Sequence, residues 1–200
     1  MKNSKTLKMV QMTILIAIVL LMSFTPIGYL RTAGLEVSLL TIPVVIGAML
    51  LGPGAGAVLG AVFGLTSFWQ CFGMSPFGAT LLGINPFYTF LVCVPTRTLM
   101  GFLTGWLFRL IHKVDKSHTV SYFVGGLIGA ALNTLFFMGT LVLFFWNTDY
   151  IQGINESLGG LNVILFVCAF VGINGLLELP ATCIAGGAVA KAVERATRNG

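Results

Sequence analysis

The apolar positions of this 200-residue chain fall into six long runs, separated by short stretches rich in Gly, Pro and charged residues. In lipid, a spanning segment must satisfy its own backbone hydrogen bonds, and an α-helix does so. The runs are too long and too uniformly apolar for the alternating strands of a membrane barrel. We therefore predict an all-α integral membrane protein whose six helices form one compact bundle. The predicted spans of this single domain, residues 1–200, are 8–24, 39–51, 55–69, 86–109, 120–146 and 161–190.

The basic residues predict how this bundle is oriented in the membrane. Six spans place both termini on one side, and that side collects nine of the eleven Lys and Arg residues: Lys2, Lys5, Lys8, Arg109, Lys113, Lys116, Lys191, Arg195 and Arg198. Cytoplasmic loops carry such an excess, so both termini of this multi-pass protein of the cell membrane should be cytoplasmic. A cleaved signal peptide over the first run is the alternative. It would place two of these basic clusters on opposite sides, which the charge pattern opposes.

The composition excludes several classes of function. Hydrophobic residues make up 56% of the chain and charged residues 8%, whereas a soluble domain carries about 25% charged residues. A soluble enzyme, a disordered tail and a nucleic-acid-binding module are therefore excluded. The motifs GxSxG, HExxH and the P-loop do not occur, so we expect no enzyme, no metal site and no nucleotide site in this chain. If the protein is an active transporter, a partner must supply the energy.

Two charged residues lie near the middle of predicted spans. Arg97 is eleven residues beyond Pro86, which is about 16 Å along a helix axis. Glu178 is thirteen residues before Lys191. A charge at this depth costs about 2.5 kcal/mol or more, so it should face a cavity or a partner. Either Arg97 meets an anionic group of a bound ligand, or Arg97 and Glu178 pair and fix two helices.

Further polar and aromatic residues complete a candidate pocket for a small solute. Asn174 precedes Glu178 by four residues and shares its helix face. Asn133 lies in the fifth run and Asn85 precedes the fourth. Each amide alone is a structural hydrogen-bond former or a ligand contact. Tyr29 and Arg31 belong to a polar loop that either closes over the site or is simply solvated. The aromatic side chain of Trp69 either lines the mouth of the pocket or belongs to an interfacial belt.

Small residues recur every four positions in the third run, from Gly52 to Gly64. Such stripes let helix backbones approach closely. Gly56 and Gly60 therefore serve either internal packing or docking onto another membrane subunit.

Several sequence features together resemble the substrate-binding S components of energy-coupling factor (ECF) vitamin transporters. They are the six short hydrophobic segments, the stretches 34–43 and 46–60, the pair Asn85-Pro86, the motif Val94-Pro-Thr-Arg97, and Asn174 with Glu178. The similarity covers nearly the whole chain. It implies a six-helix protein that captures a vitamin from outside the cell.

The resemblance also implies partners. An S component associates with a transmembrane coupling subunit and two cytoplasmic ATPase subunits, which use ATP, while the S component itself holds no cofactor. Small residues on the first helix of the family contact the coupling subunit. The corresponding pair here is Thr13 and Ala17, which departs from the usual pair of alanines.

The sequence is most similar to pantothenate-type S components. The Arg97 guanidinium suits the carboxylate of pantothenate because it makes paired, charge-assisted hydrogen bonds. Asn133 or Asn174 would serve the hydroxyls and the amide. Folate and biotin also carry carboxylates, and riboflavin-type components share the general pattern, so other vitamins remain open. A second alternative is an autonomous secondary carrier in which Glu178 acts as a proton site.

Overall fold

A computed structural model describes residues 4–25, 28–32, 35–115 and 119–199. In chain order, these residues form α1 (Ser4–Ser23), β1 (Tyr29–Thr32), β2 (Leu35–Ser38), α2 (Thr41–Leu51), α3 (Pro53–Gln70), α4 (Pro76–Ile84), α5 (Pro86–Val114), α6 (Val120–Phe145), α7 (Asp149–Ser157), α8 (Val163–Ala181), a π-helical turn (Thr182–Gly186) and α9 (Gly187–Asn199). The protein is predominantly helical, as the hydropathy pattern predicts.

The helices coincide with the apolar runs, but they differ in how well they suit a membrane. Within the described residues, three helical segments are long and apolar enough to cross it: Lys5–Ser23, Pro86–Val114 and Val120–Phe145. The apolar helix α2 is shorter and meets the Gly-rich α3 at Gly52. The sixth run is divided by the π-helical turn. The number of membrane spans and the side on which the termini lie therefore stay predictions.

Two short helices and a hairpin lie in stretches that the sequence suggests are loops. The helix α4 begins at Pro76, and the preceding Ser75 accepts a hydrogen bond from the backbone N–H of Gly78 at 3.2 Å. A capping serine followed by proline at the first helical position is a recognised helix start. Near the end of α7, Asn155 forms two hydrogen bonds of 3.0 Å with the backbone of Leu161 and so closes the turn into α8. The strands β1 and β2 pair antiparallel.

The helices α3 and α5 pack together most extensively, and glycine permits their close approach. A Cβ atom on Gly56 would collide with the carbonyl group of Gly101, and one on Gly60 would collide with the carbonyl group of Arg97. Both glycines are buried. The small-residue stripe of α3 thus holds α5, and with it Arg97, at a fixed depth in the bundle.

Buried side chains connect the remaining helices to this pair. Val19 of α1 packs with Leu40 and Phe63, while Phe145, Ile151 and other apolar side chains join α6 to α7 in a second cluster. The helices α2, α5, α6 and α8 surround the polar residues described next.

Candidate functional site

The guanidinium of Arg97 lies inside the bundle between two aromatic rings. Arg97 is 7% exposed, and its Cζ lies 4.8 Å from the ring centroid of Phe63 and 5.1 Å from that of Phe137. Such contacts stabilise a cation through the negative faces of the rings. Nη1 donates hydrogen bonds of 3.1 Å and 3.2 Å to the carbonyl groups of Val92 and Cys93. The side chain therefore runs back along α5 toward its Pro86 end, as long helical side chains do.

A carboxylate lies nearby on α8 and is held by two hydrogen bonds. The Oε1 atom of Glu178 accepts one from Thr41 Oγ1 at 2.6 Å and one from Asn133 Nδ2 at 2.9 Å. All three side chains are buried. The network joins the start of α2, the middle of α6 and the end of α8 at one point.

Arg97 and Glu178 do not form the direct pair that the sequence left open. Within the described part of the chain, the hydrogen bonds of Arg97 go to carbonyl groups of its own helix, and those of Glu178 come from Thr41 and Asn133. Each of the two charged groups is thus held by other partners.

Some buried polar atoms in this region have no hydrogen-bond partner. Among the described residues, these atoms include Arg97 Nε, Asn133 Oδ1 and Ser38 Oγ. A buried polar atom without a partner costs about 1–3 kcal/mol, so in native proteins such atoms are rare and call for an explanation. A guanidinium N–H and an amide oxygen are, respectively, a donor and an acceptor. A ligand with both an acceptor and a donor would satisfy them.

A cavity of about 440 Å³ lies between α6 and α8. Its walls are mainly apolar; they include Thr134 and Leu179 but not Arg97, Asn133 or Glu178. Consecutive residues of a helix do not share a face. The cavity is therefore separate from the polar network around Arg97.

Two other candidate ligand contacts have different roles in the structure. Asn85 caps α5, because its Oδ1 accepts hydrogen bonds of 3.1 Å from the backbone N–H groups of Phe87 and Tyr88. In the structure Asn85 is therefore a helix cap. Trp69 is 65% exposed at the end of α3 and contacts Phe72. This position fits an interfacial belt, not the wall of the buried pocket. The side chains of Tyr29, Arg31 and Asn174 lie outside the described residues.

The candidate docking residues divide into two groups. Thr13 and Ala17 are exposed on the face of α1 that points away from the core. Gly56 and Gly60 lie against α5, where a partner subunit cannot reach them. Of the two roles that the sequence leaves open for these glycines, the structure shows packing between α3 and α5.

The sequence reasoning missed three residues of the site. Thr41 carries no signal that sets it apart from other threonines at a helix start. Phe63 and Phe137 lie in uniformly apolar runs, where an aromatic residue normally indicates core packing. A search for aromatic residues at the depth of Arg97 would have suggested them, because a buried guanidinium favours aromatic neighbours.

Comparison with known proteins agrees with this architecture. Residues 7–185 match the family described as "ECF transporter, substrate-specific component". The chain belongs to this family. As a substrate-specific component it is a membrane transport protein and not an enzyme. Membership implies, in general terms, a vitamin substrate and partner subunits of the ECF type.

Two relatives are similar over most of their length. The chain is 30% identical over 193 residues to a protein of Leuconostoc mesenteroides subsp. mesenteroides named "Pantothenate transporter PanT", covering 90% of this chain and 92% of that protein. It is 28% identical over 178 residues to "Pantothenic acid transporter PanT" of Lactococcus lactis subsp. cremoris, covering 81% and 80%. The family match over residues 7–185 extends through the helices that carry Arg97 and Glu178.

Proposed function

We propose that this substrate-specific component binds pantothenate in a pocket that opens to the outer side of the membrane, for ATP-driven uptake by partner subunits. The proposal rests on the environment of the Arg97 guanidinium. This group is buried and contacts two aromatic rings, and its Nε has no hydrogen-bond partner among the described residues.

A carboxylate is the ligand group that suits this environment best. A buried cation is stabilised chiefly by an anion with good hydrogen-bond geometry, and guanidinium and carboxylate match as paired donors and acceptors. Glu178 does not take this role, because Thr41 and Asn133 hold its Oε1. An incoming carboxylate would complete the bonding of Arg97 without displacing an internal ion pair.

The choice of pantothenate rests on chemistry and on similarity together. Pantothenate has a carboxylate for Arg97, and hydroxyl and amide groups for the neighbouring polar atoms. Both relatives described above carry pantothenate in their names. Folate and biotin satisfy the carboxylate argument equally well, while riboflavin lacks an anionic group. Another vitamin is therefore the alternative substrate.

The proposal includes six membrane spans with both termini in the cytoplasm of the cell. The basic residues support this arrangement, because Lys191 of α9 donates a hydrogen bond to Thr119 at the start of α6. The guanidinium of Arg109 lies over Gly52, at the turn between α2 and α3. Basic side chains from α5 and α9 and the α2–α3 turn thus gather at one end of the bundle, as the cytoplasmic side of a membrane protein requires.

The energy for uptake comes from outside this chain in our proposal. The chain has no P-loop, holds no cofactor of its own and docks, through the exposed face of α1 that includes Thr13 and Ala17, onto a transmembrane coupling subunit. Two cytoplasmic ATPase subunits then use ATP to drive transport.

Binding and uptake by the purified chain test this function. Calorimetric titration in detergent with pantothenate, riboflavin, folate, biotin and thiamine should give submicromolar binding for pantothenate alone. Liposomes that contain only this chain should take up no pantothenate under a pH gradient, which separates an S component from a secondary carrier. Binding of a different vitamin would overturn the substrate, and uptake by the chain alone would overturn the role of the partners.

A further inference from the structure

The contact between Glu178 and Asn133 determines the orientation of the Asn133 side-chain amide: its NH₂ group faces Glu178, and its Oδ1 points away. Asn133 is 8% exposed, and its Nδ2 donates to Glu178 Oε1 at 2.9 Å. The same oxygen accepts a hydrogen bond from Thr41 at 2.6 Å. An oxygen that receives two donors is an acceptor, and an amide can meet it only with its NH₂ group. The position of Asn133 Oδ1 is thereby fixed.

This arrangement leaves an acceptor that the protein itself does not use. Asn133 Oδ1 is buried and has no partner among the described residues. Rotating the amide to satisfy Oδ1 would place two acceptors face to face at Glu178, so the network holds the unsatisfied orientation. A buried acceptor of this kind favours a ligand that brings an O–H or N–H group.

The face of α6 that carries Asn133 also contacts Arg97. Phe137 follows Asn133 by four residues, so the two side chains share one face of α6. The ring of Phe137 contacts the Arg97 guanidinium, with 5.1 Å between Cζ and the ring centroid. The unused acceptor and the guanidinium therefore belong to the same part of the bundle.

We propose that Asn133 Oδ1 accepts a hydrogen bond from an O–H or N–H group of the substrate. Glu178 is a positioning residue that holds Asn133 in this orientation. This inference rests on the proposed function, in which Arg97 binds the carboxylate. The site then selects acids that also carry a hydrogen-bond donor and rejects acids of similar size that lack one.

Four probes separate the two contacts in the purified full chain. They are pantothenate, an analogue without the secondary hydroxyl, an N-methylated analogue without the amide N–H, and panthenol, which has an alcohol in place of the carboxylate. For each analogue, the ratio of its Kd to that of pantothenate is measured by calorimetry. In the wild-type chain, at least one of the two analogues lacking a donor should bind about tenfold or more weakly. Equal binding of pantothenate and both of these analogues would overturn the proposal without any variant.

Two substitutions test the roles of the residues. The sensitive analogue is the one that binds the wild-type chain more weakly than pantothenate does. In Asn133→Ala, the ratio of its Kd to that of pantothenate should fall close to one, because the acceptor that distinguishes the two ligands is gone. In Glu178→Gln, the same Kd ratio should also fall. A glutamine amide offers both a donor and an acceptor, so Asn133 can then turn its own Oδ1 toward residue 178 and away from the ligand. The panthenol ratio should stay high in both variants. A merely structural role for Glu178 would weaken all ligands equally and leave every ratio unchanged, which would overturn the positioning role.

Controls keep this inference distinct from the proposed function. Asn85→Ala removes a matched asparagine that caps α5, and it should change none of the ratios. If the wild-type chain does not bind pantothenate, the proposed function fails first, and this inference fails with it. If pantothenate binds and panthenol is rejected while Asn133→Ala keeps the wild-type ratio for the sensitive analogue, only the donor contact is overturned.

Discussion

The Nδ2 atom of Asn133 lies 2.9 Å from Oε1 of Glu178, and this hydrogen bond joins α6 to α8 inside the bundle. The contact occupies the carboxylate that the sequence suggests as a partner of Arg97. Arg97 turns instead to carbonyl groups of α5, and within the described part of the chain its Nε has no hydrogen-bond partner. Its charge is therefore available to a bound anion. The predictions below follow from this separation of the two charges.

Replacing Arg97 should abolish recognition of the acid. We expect Arg97→Gln to weaken pantothenate binding by about 100-fold or more, because removing one partner of a buried charged pair costs about 2–5 kcal/mol. The measurement is a calorimetric titration of the folded variant. Arg109→Gln is the matched control, since Arg109 is exposed about three turns further along the same helix, and it should bind like the wild type. Retained affinity in Arg97→Gln would remove Arg97 from the site.

The close contact between α3 and α5 predicts a difference between two glycines of one helix. In Gly60→Ala, the added methyl group meets the carbonyl group of Arg97, and such overpacking destabilises by about 1–3 kcal/mol. In Gly54→Ala nothing lies within 4 Å, so this variant should be unchanged or slightly more stable. Thermal unfolding in detergent distinguishes them. Equal melting temperatures would contradict the packing described here.

Asn85 should matter for stability and not for recognition. Its side chain caps α5 through two backbone N–H groups, and loss of such a cap costs about 1 kcal/mol. We therefore expect Asn85→Ala to melt at a lower temperature while its pantothenate Kd, measured below that temperature, is unchanged. Asn85→Ser should recover much of the loss. A large fall in affinity for Asn85→Ala would return this residue to the ligand site.

The exposed face of α1 should separate binding from transport. We expect Ala17→Trp to bind pantothenate normally but to reduce both copurification with the coupling subunit and uptake by the complete transporter. Leu143→Trp, at a position of α6 that is 74% exposed, serves as the control for a bulky residue facing lipid. If Ala17→Trp assembles and transports as the control does, this face of α1 is not the docking surface.

The sequence predicts the helices well where a long apolar run leaves no other solution in lipid. It fails for α4 and α7, because these short helices lie in loops and no long apolar run marks them. The start of α4 is instead marked by a local cap. The capping pair Ser75 and Pro76 was available as a signal, and its counterpart Asn85 and Pro86 marks the start of α5 in the same way.

The charged residues of the site can be predicted from the sequence, but the groups that they contact cannot. A charge within an apolar run must face inward, so Arg97 and Glu178 are found from hydropathy alone, and both are buried. The groups that these two side chains contact depend on how each helix is rotated and on the close approach at Gly60. Neither can be predicted from a single sequence. Thr41 and Phe137 enter the site for the same reason, because tertiary packing and not local pattern brings them there.

The most direct test of the account compares pantothenate with panthenol in the wild-type chain, purified alone and titrated in the same detergent. The two molecules differ only at the carboxylate that Arg97 is proposed to bind. The account predicts submicromolar binding of pantothenate and binding of panthenol weaker by about 100-fold, as expected when a buried cation loses its partner. Equal affinity for both would contradict the assignment of Arg97 to the carboxylate, and with it the central claim about this site.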